Sequence, residues 1–279
     1  MIARKLEKII GKKLAIKISK SYQLGYIVSI DKAKTFNEKL SKNYMLEGNG
    51  DFFYLADKLE VKKYVAKVIG NEHNVDCIKS SRKPIKKFGD LPTGFVIKSN
   101  HASGQTKIVR NKNNIKKERL VNLQRQWLNT TYGYNKFEDW YSEIEPKIII
   151  EKLLTYKYND IEEPIEFKMF CFDGDIKLLY VNINKNSNRQ RNFYDENFDL
   201  VNVDIKKSYP KNDTFDICNH LEAIQLAEKL SQDIPFVRVD MYYANPGCYK
   251  VGELTFSPGA GTDRFYPPSI DRELGYFWE

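Results

Sequence analysis

The sequence predicts an α+β fold. Alternating apolar and polar residues mark two hairpins, Ile165–Asn184 turning at Asp173-Gly174, and Val237–Phe256 turning at Asn245-Pro246-Gly247. Helical apolar periods flank these strands, most clearly over Ala56–Gly70 and residues 216–231. Gly and Pro punctuate the joins and no short repeat is visible, so strands in the middle with helices around them fit better than a solenoid. A chain of 279 residues can bury a sizeable core in one large or two modest domains.

In chain order, residues 1–20 predict a basic helix with Ile2, Leu6, Ile9 and Ile10 on one stripe. Such a stripe fits either packing on the parent domain or an anionic membrane surface. Asp31–Leu40 predicts a turn leading into a helix. In Ala56–Gly70, Asp57 supplies an N-cap, Gly70 a stop, and Leu59, Val61, Val65, Val68 and Ile69 an apolar face. Residues 71–93, interrupted by Pro84, Gly89 and Pro92, predict a connection with a short strand. Gly94–Val109 predicts strand, Gly-containing loop, strand, and residues 115–143, with Trp127 and Trp140, a helix. Ile148–Leu154 predicts a buried strand that ends in a break. The second hairpin is followed by a tail rich in Gly, Pro and aromatics.

Composition narrows the function classes. No apolar run is long enough to span a bilayer, and the basic opening segment lacks the continuous apolar centre of a secretory leader, so a cytoplasmic protein is expected. Cys77, Cys171, Cys218 and Cys248 are scattered without metal-type spacing, which fits a reducing compartment and argues against zinc. The net charge of +8 fits either solvated surface lysines or anionic partners such as nucleotides and acidic sugars. No nucleic-acid-binding module is recognisable, and none is expected.

Three constellations carry chemistry. In Val96–Gln105, Lys98 on a strand precedes a loop with Ser99, Ser103 and Gly104; backbone N–H groups of such a loop can cradle phosphate oxygens, although an ordinary hairpin turn has the same composition. The spacing is neither that of a Walker A loop nor that of a dinucleotide-binding fingerprint. In the last hairpin, Asp240 and Glu253 can stand side by side, where like charges repel unless a cation lies between them. Hard oxygen ligands of this kind suit Mg²⁺ bound with nucleotide phosphates, while a surface hairpin with lysine partners is the plainer reading. Arg238 and Thr255, two positions from Asp240 and Glu253, complete a four-member polar face. Ile148–Leu154 fits a core strand, or a wall on which adenine could rest.

Taken in order, Thr35-Phe36-Asn37-Glu38-Lys39, Asp57-Lys58, Phe95-Val96-Ile97-Lys98, Phe167 to Gly174, Arg238-Val239-Asp240 and Gly252-Glu253-Leu254-Thr255-Phe256 resemble the TupA-like ATP-grasp family of polysaccharide biosynthesis. The resemblance covers nearly the whole chain, and its last stretch is the most specific. It implies an ATP-grasp fold, with ATP held between two α+β subdomains and a short helical N-terminal region. The implied bounds are an extension over 1–50 and an ATP-grasp domain over 51–279, split into a nucleotide-clamping subdomain at about 90–155 and a metal-binding subdomain at about 156–279. By the same resemblance Lys58 and Lys98 contact ATP phosphates, Ser99 to Gly104 close over them, and Glu151, Lys152, Leu153 and Leu154 form the adenine hinge. Glu166 meets the ribose, Asp240 and Glu253 ligate Mg²⁺ with Thr255 as a third candidate, and Arg238 steadies the transferred phosphoryl group.

The sequence departs from the family pattern in three places. Thr255 stands where many ATP-grasp ligases carry Asn; His101-Ala102-Ser103-Gly104-Gln105 replaces a double-Gly loop; and the N-terminal region is short. The resemblance implies an ATP- and Mg²⁺-dependent ligase that joins an amine or amino acid to an acidic sugar or sugar nucleotide through an acyl phosphate. By the same resemblance it would work in the cytoplasm, with the inner membrane surface and polysaccharide assembly enzymes as candidate peripheral contacts. A sugar kinase on the same scaffold, and more distantly a glycosyltransferase, are the rival readings; a glycan-binding module without catalysis would need neither Lys58 nor Lys98.

Overall fold

The computed structural model describes residues 2–45, 51–156, 163–185, 188–245 and 247–278. Pro246 of the last hairpin's turn lies outside them. The helices are α1 (Ile2–Ile10), α2 (Lys12–Leu24), α3 (Phe36–Asn43), α4 (Lys58–Val68), α5 (Lys117–Leu128), α6 (Leu221–Ser231) and α7 (Ser269–Phe277). The strands are β1 (Cys77–Ser81), β2 (Phe95–Ser99), β3 (Thr106–Val109), β4 (Ile148–Lys152), β5 (Ile165–Phe172), β6 (Asp175–Lys185), β7 (Asn188–Asp195), β8 (Leu200–Val201), β9 (Asp204–Ile205), β10 (Val237–Asn245), β11 (Cys248–Thr255) and β12 (Phe265–Tyr266).

They build two main sheets. The smaller has the order β1-β4-β2-β3 and the larger β11-β10-β5-β6-β7-β8, with β12 and β9 pairing apart from both. The small sheet packs one face on α5, where Phe95, Ile97, Val109, Ile148 and Ile150 meet Leu120, Val121 and Trp127 in a core of their own. The large sheet is covered on one face by a second, larger core that takes Val61 and Val65 from α4, Ala223, Ala227 and Leu230 from α6, and Val237, Val239 and Met241 from β10. Its opposite face is covered only at one end, where Phe36 and Leu40 of α3 and Leu274 of α7 close over Phe170, Phe172 and Phe236. The polar residues of the remaining strip include Glu166, which lines a cleft facing the small sheet, and the cross-strand pair Lys168 and Asp240.

Local chemistry explains the helices that flank this strip. Thr35 caps α3 in a reciprocal box with Glu38, whose carboxylate also accepts from the backbone N–H of Ser29 and Lys34, each at 2.8 Å. Asp57 caps α4 through Leu59 N–H at 2.8 Å, as the sequence predicts.

Two expected helices differ. The single helix over residues 1–20 is instead α1 and α2, broken at Gly11, whose φ of 81° lies in the left-handed region. Its apolar stripe divides: Leu6 and Ile10 pack against the large core, whereas Ile9 is exposed. The helix expected over 115–143 is α5 alone, followed by 3₁₀ turns at Tyr134–Lys136 and Asp139–Glu143, with Gly133 just before the first. Trp127 and Trp140 are both buried, so the apolar pattern was real, but it serves turns as well as helix. Among the described residues no helix is long and apolar enough to cross a membrane.

Candidate active site

β10 and β11 pair in a register that sets Arg238 opposite Thr255 and Asp240 directly opposite Glu253. The register then shifts by one residue, so that Met241 faces Val251 and Gly252 is the extra residue on β11. The bulge has a topological effect. Tyr249 and Val251 are buried in the large core, while Glu253 and Thr255, of the same parity, turn to the opposite face, where Glu253 lines the cleft and the Thr255 hydroxyl meets Arg238. One strand thereby serves both faces of the sheet. Gly252 is required for close approach: a Cβ there would lie 2.6 Å from a ring carbon of Tyr242 and 3.4 Å from the Asp240 carbonyl. Gly252→Ala is expected to cost about 1–3 kcal/mol through this overpacking, read as a lower Tm together with a weakened nucleotide-dependent melting shift. An unchanged Tm would contradict the packing argument.

The repulsion between Asp240 and Glu253 is met by the chain's own cations. Arg238 grips Asp240 with two hydrogen bonds, Nε to Oδ1 at 2.6 Å and Nη2 to Oδ2 at 2.7 Å, and Lys168, directly across on β5, ion-pairs with the same Oδ2. Arg238 also lies 3.6 Å from Glu253 Oε1 and donates to Thr255 Oγ1 at 3.3 Å, and the Thr255 hydroxyl donates to Glu253 Oε1 at 2.8 Å. Burial works to raise the Glu253 carboxyl, but Lys58, Arg238 and Lys168 outweigh it and hold the group at about 2. Burial likewise disfavours the charge on Arg238, and Asp240 reverses this, so the guanidinium is bound more firmly to its proton than usual.

A second charged knot lies on the small sheet. Val96 of β2 sits opposite Glu151 of β4, which places Lys98 and Glu151 on one face. Lys98 Nζ is 2.7 Å from Glu151 Oε2, and Lys62, from α4, is 2.8 Å from Oε1. Burial alone would raise Glu151; the two lysines win, and its pKa falls below the ordinary carboxylate value. Lys58, in the first turn of α4, is buried, its proton affinity lowered by desolvation although Glu253 acts to raise it, and its Nζ donates to Ala102 O at 2.7 Å. The backbone of the 100–105 loop is tied to α4 by Lys58 N–H to Asn100 O at 3.2 Å and by Asn100 Nδ2 to Asp57 Oδ2 at 3.0 Å.

Part of each knot borders a cleft of about 340 Å³ between the two sheets. Its walls hold Lys58, Lys98, Glu151, Lys152, Leu153, Leu154, Glu166 and Glu253, eight of the residues proposed from sequence. Val96, Ile108, Leu153 and Leu154 supply apolar surface. Glu166 accepts from Asn182 Nδ2 at 3.0 Å, with Arg189 at 3.8 Å. Six other candidates do not line it: Arg238, Asp240 and Thr255 lie beside Glu253 in the knot on the large sheet, and Ser99, Ser103 and Gly104 lie elsewhere. Ser99 alternates with Lys98, is fully buried, and has no hydrogen-bond partner for its Oγ among the described residues. Ser103 and Gly104 are exposed at the tip of the loop. Lys152 is exposed and 3.8 Å from Asp76.

Sequence reasoning missed Lys62 and Lys168, the partners of Glu151 and Asp240, because each is joined to its carboxylate only by the fold. It also passed over the bulge, although the change of parity from Tyr249 and Val251 to Leu254 carries that signal. The donor chemistry fits Mg²⁺ delivered with a nucleotide. Among the described residues no cluster of three or more His, Cys, Asp or Glu could cage a metal alone, and two carboxylates with a hydroxyl leave coordination positions for phosphate oxygens.

No curated protein matches this chain. Among solved structures it is similar to the ATP-grasp ligase PsnB complexed with minimal precursor, at 10% identity over 81% of this chain and 57% of that one, with a TM-score of 0.42. It is also similar to D-alanine–D-alanine ligase from Bacillus anthracis complexed with ATP, at 16% identity over 86% and 62%, with a TM-score of 0.42. The L-amino acid ligase from Bacillus licheniformis gives 13% identity over 80% and 48%, with a TM-score of 0.46. The chain thus spans less than two thirds of each of these proteins. The family model described as TupA-like ATPgrasp matches residues 38–278, from α3 through the charged hairpin to the last helix, and the chain belongs to that family.

Proposed function

We propose that this protein is an ATP- and Mg²⁺-dependent carboxylate–amine ligase that forms an amide on an acidic sugar during cell-surface polysaccharide biosynthesis. The observation that carries the reading is the convergence of Lys58, Lys98 and Glu253 on one cleft that also has an apolar wall at Leu153 and Leu154. The proposed division of labour follows the two sheets: residues of about 90–155 clamp the nucleotide and residues of about 156–279 hold the metal. Bound there, Mg-ATP would supply the phosphoryl group that turns a carboxylic acid into an acyl phosphate, which an amine then opens.

The chain's own residues position and neutralise. Lys98 stands on a strand fixed by pairing on both sides, so its ammonium can move from Glu151 to a phosphate oxygen with little reorganisation. Lys58 exchanges the Ala102 carbonyl for phosphate in the same way. Asp240 and Glu253, with Thr255 beside them, would hold Mg²⁺. Asp240 becomes available when Lys168 leaves it, and Arg238 offers a planar, permanent charge to the phosphoryl oxygens. Glu151 holds the two lysines in place, a role that its position in the hinge does not reveal. The uronic-acid class of substrate rests on the family's likeness to polysaccharide enzymes and on the surplus of positive charge. The cytoplasmic face of the membrane is the proposed place of work.

The test is a panel of uronic acids and amino acids with Mg-ATP and hydroxylamine in place of the natural amine. An acyl phosphate is electrophilic at carbon, so a ligase releases ADP and phosphate and yields a hydroxamate only when its acid is present. ADP with a stable phosphorylated sugar, no free phosphate and no hydroxamate would give the reaction to a kinase instead.

A further inference from the structure

The positive charge of the chain is not evenly spread. Residues 105–126 carry seven cations, Lys107, Arg110, Lys112, Lys116, Lys117, Arg119 and Arg125, against one anion, Glu118. This stretch alone accounts for most of the net +8. It includes β3, the edge strand of the small sheet, the loop that follows and α5.

The structure gathers part of this charge into a concavity. A groove of about 1060 Å³ runs between β3 and α5, three times the volume of the nucleotide cleft. Lys107 from the strand, Arg110 and Lys116 from the loop, and Arg119 from the helix all line it, and no acidic residue does. Among the described residues Lys107, Lys116 and Arg119 are exposed and have no carboxylate within 4.0 Å. Arg110 lines both the groove and the nucleotide cleft, and pairs with Glu163 at 2.7 Å where the two meet.

We infer that this groove docks an acidic glycan chain, an oligosaccharide with repeated carboxylates, and leads it to the mouth of the nucleotide cleft. Lysine on an edge strand is commonly a guard against strand pairing, but that role does not call for cations from three segments around one hollow. The remaining polar lining is uncharged amide, Asn111, Asn114, Asn122 and Gln126, which can donate to and accept from sugar hydroxyls. No aromatic ring lines the groove, so it lacks the stacking platforms of single-stranded nucleic-acid sites. A lipid surface is flat and would meet the rim rather than the hollow. The choice of a uronic-acid chain rests on the ligase reading above; the groove's charge does not.

The experiment uses the full chain and a labelled oligogalacturonate, read by fluorescence anisotropy. Controls are the same chain with its carboxyls reduced to alcohols, an oligo-dT of similar charge, and phosphatidylglycerol vesicles. The acidic chain should bind, and the reduced chain should not. The variant K107E/K116E/R119E should weaken binding by about tenfold or more, because three unpaired charges are inverted against a polyanion. K107A/K116A/R119A should fall between it and the parent. Both variants should keep the parent's melting shift with Mg-ATP, which also shows that they are folded. Absence of binding, or equal binding by parent and charge-reversed variant, overturns the proposal. So does oligo-dT or vesicle binding that is as tight and depends on the same residues. Binding without any hydroxamate would keep the groove and remove the ligase; hydroxamate without binding would do the reverse.

Discussion

Glu253→Gln should lower turnover by a factor on the order of a hundred to a thousand, the usual effect of removing one preorganised charge from a reacting site. The amide keeps the shape of the side chain and can still accept from Thr255 Oγ1, now 2.8 Å from Oε1. What it loses is a negative charge that faces Lys58, Arg238 and Lys168. The variant should therefore remain folded, with Mg²⁺ dependence shifted to higher concentration. A pH signature accompanies it. The folded-state pKa of Glu253, about 2, lies below its ordinary value of 4.5, so the folded protein ionises this group first. Its contribution to stability is complete above the ordinary value and disappears as pH falls from there through about 2. Glu151, also depressed, adds a loss of the same sign. Chemical denaturation of parent and variant across that window should show a shallower acid dependence in the variant. Equal slopes, with Mg²⁺ dependence unchanged, would sink the role given to this carboxylate.

Asp240→Asn should behave differently, although the two carboxylates face each other in register. Asp240 is the bidentate partner of Arg238 and the ion-pair partner of Lys168, and it is nearly fully buried. Its neutralisation leaves Arg238 with a hydrogen bond to Thr255 at 3.3 Å and a longer contact to Glu253, and leaves Lys168 without its carboxylate. Stranding buried charge in this way costs about 3–5 kcal/mol, a fall in Tm of roughly 10 °C for a chain of this size. Turnover should be lost as well, so both variants are inactive; both lose stability, and Asp240→Asn loses more, because the Asp240 side chain is 4% exposed and that of Glu253 30%. A calorimetric scan decides the point: equal Tm values for the two variants would mean that Arg238 and Lys168 find other partners at no cost.

What was legible in the sequence was local. The Asp57 cap precedes its helix directly, and alternation within each strand puts Arg238 with Asp240 and Glu253 with Thr255, whereas the two pairs meet on one face only through the register and the bulge at Gly252. The lysines Lys58 and Lys98 came from the order of motifs rather than from any spacing between them. What was not legible depended on register and on contacts between distant segments. Lys168 meets Asp240 because β5 pairs with β10 at that residue, and Lys62 meets Glu151 because α4 lies across the small sheet. The adenine-hinge role of Glu151 is implied by resemblance, and no local pattern shows that its carboxylate pairs with Lys98 and Lys62. The overextended helix after Ile115 failed for another reason: an apolar spacing of three or four serves 3₁₀ turns around Gly133 as well as an α-helix.

The separateness of the two cores has a further consequence. The small sheet and α5 bury their apolar residues among themselves, while α2, α4 and α6 share a core with the large sheet. A body with its own core can open as its own cooperative unit, at a free energy below that of global unfolding. Amide hydrogens of β2, β3 and α5 would then exchange with solvent together and earlier than those of β5 and β10. A nucleotide that touches Lys98 on one body and Glu253 on the other joins the two units, so it would draw their exchange rates together without adding a residue to either core.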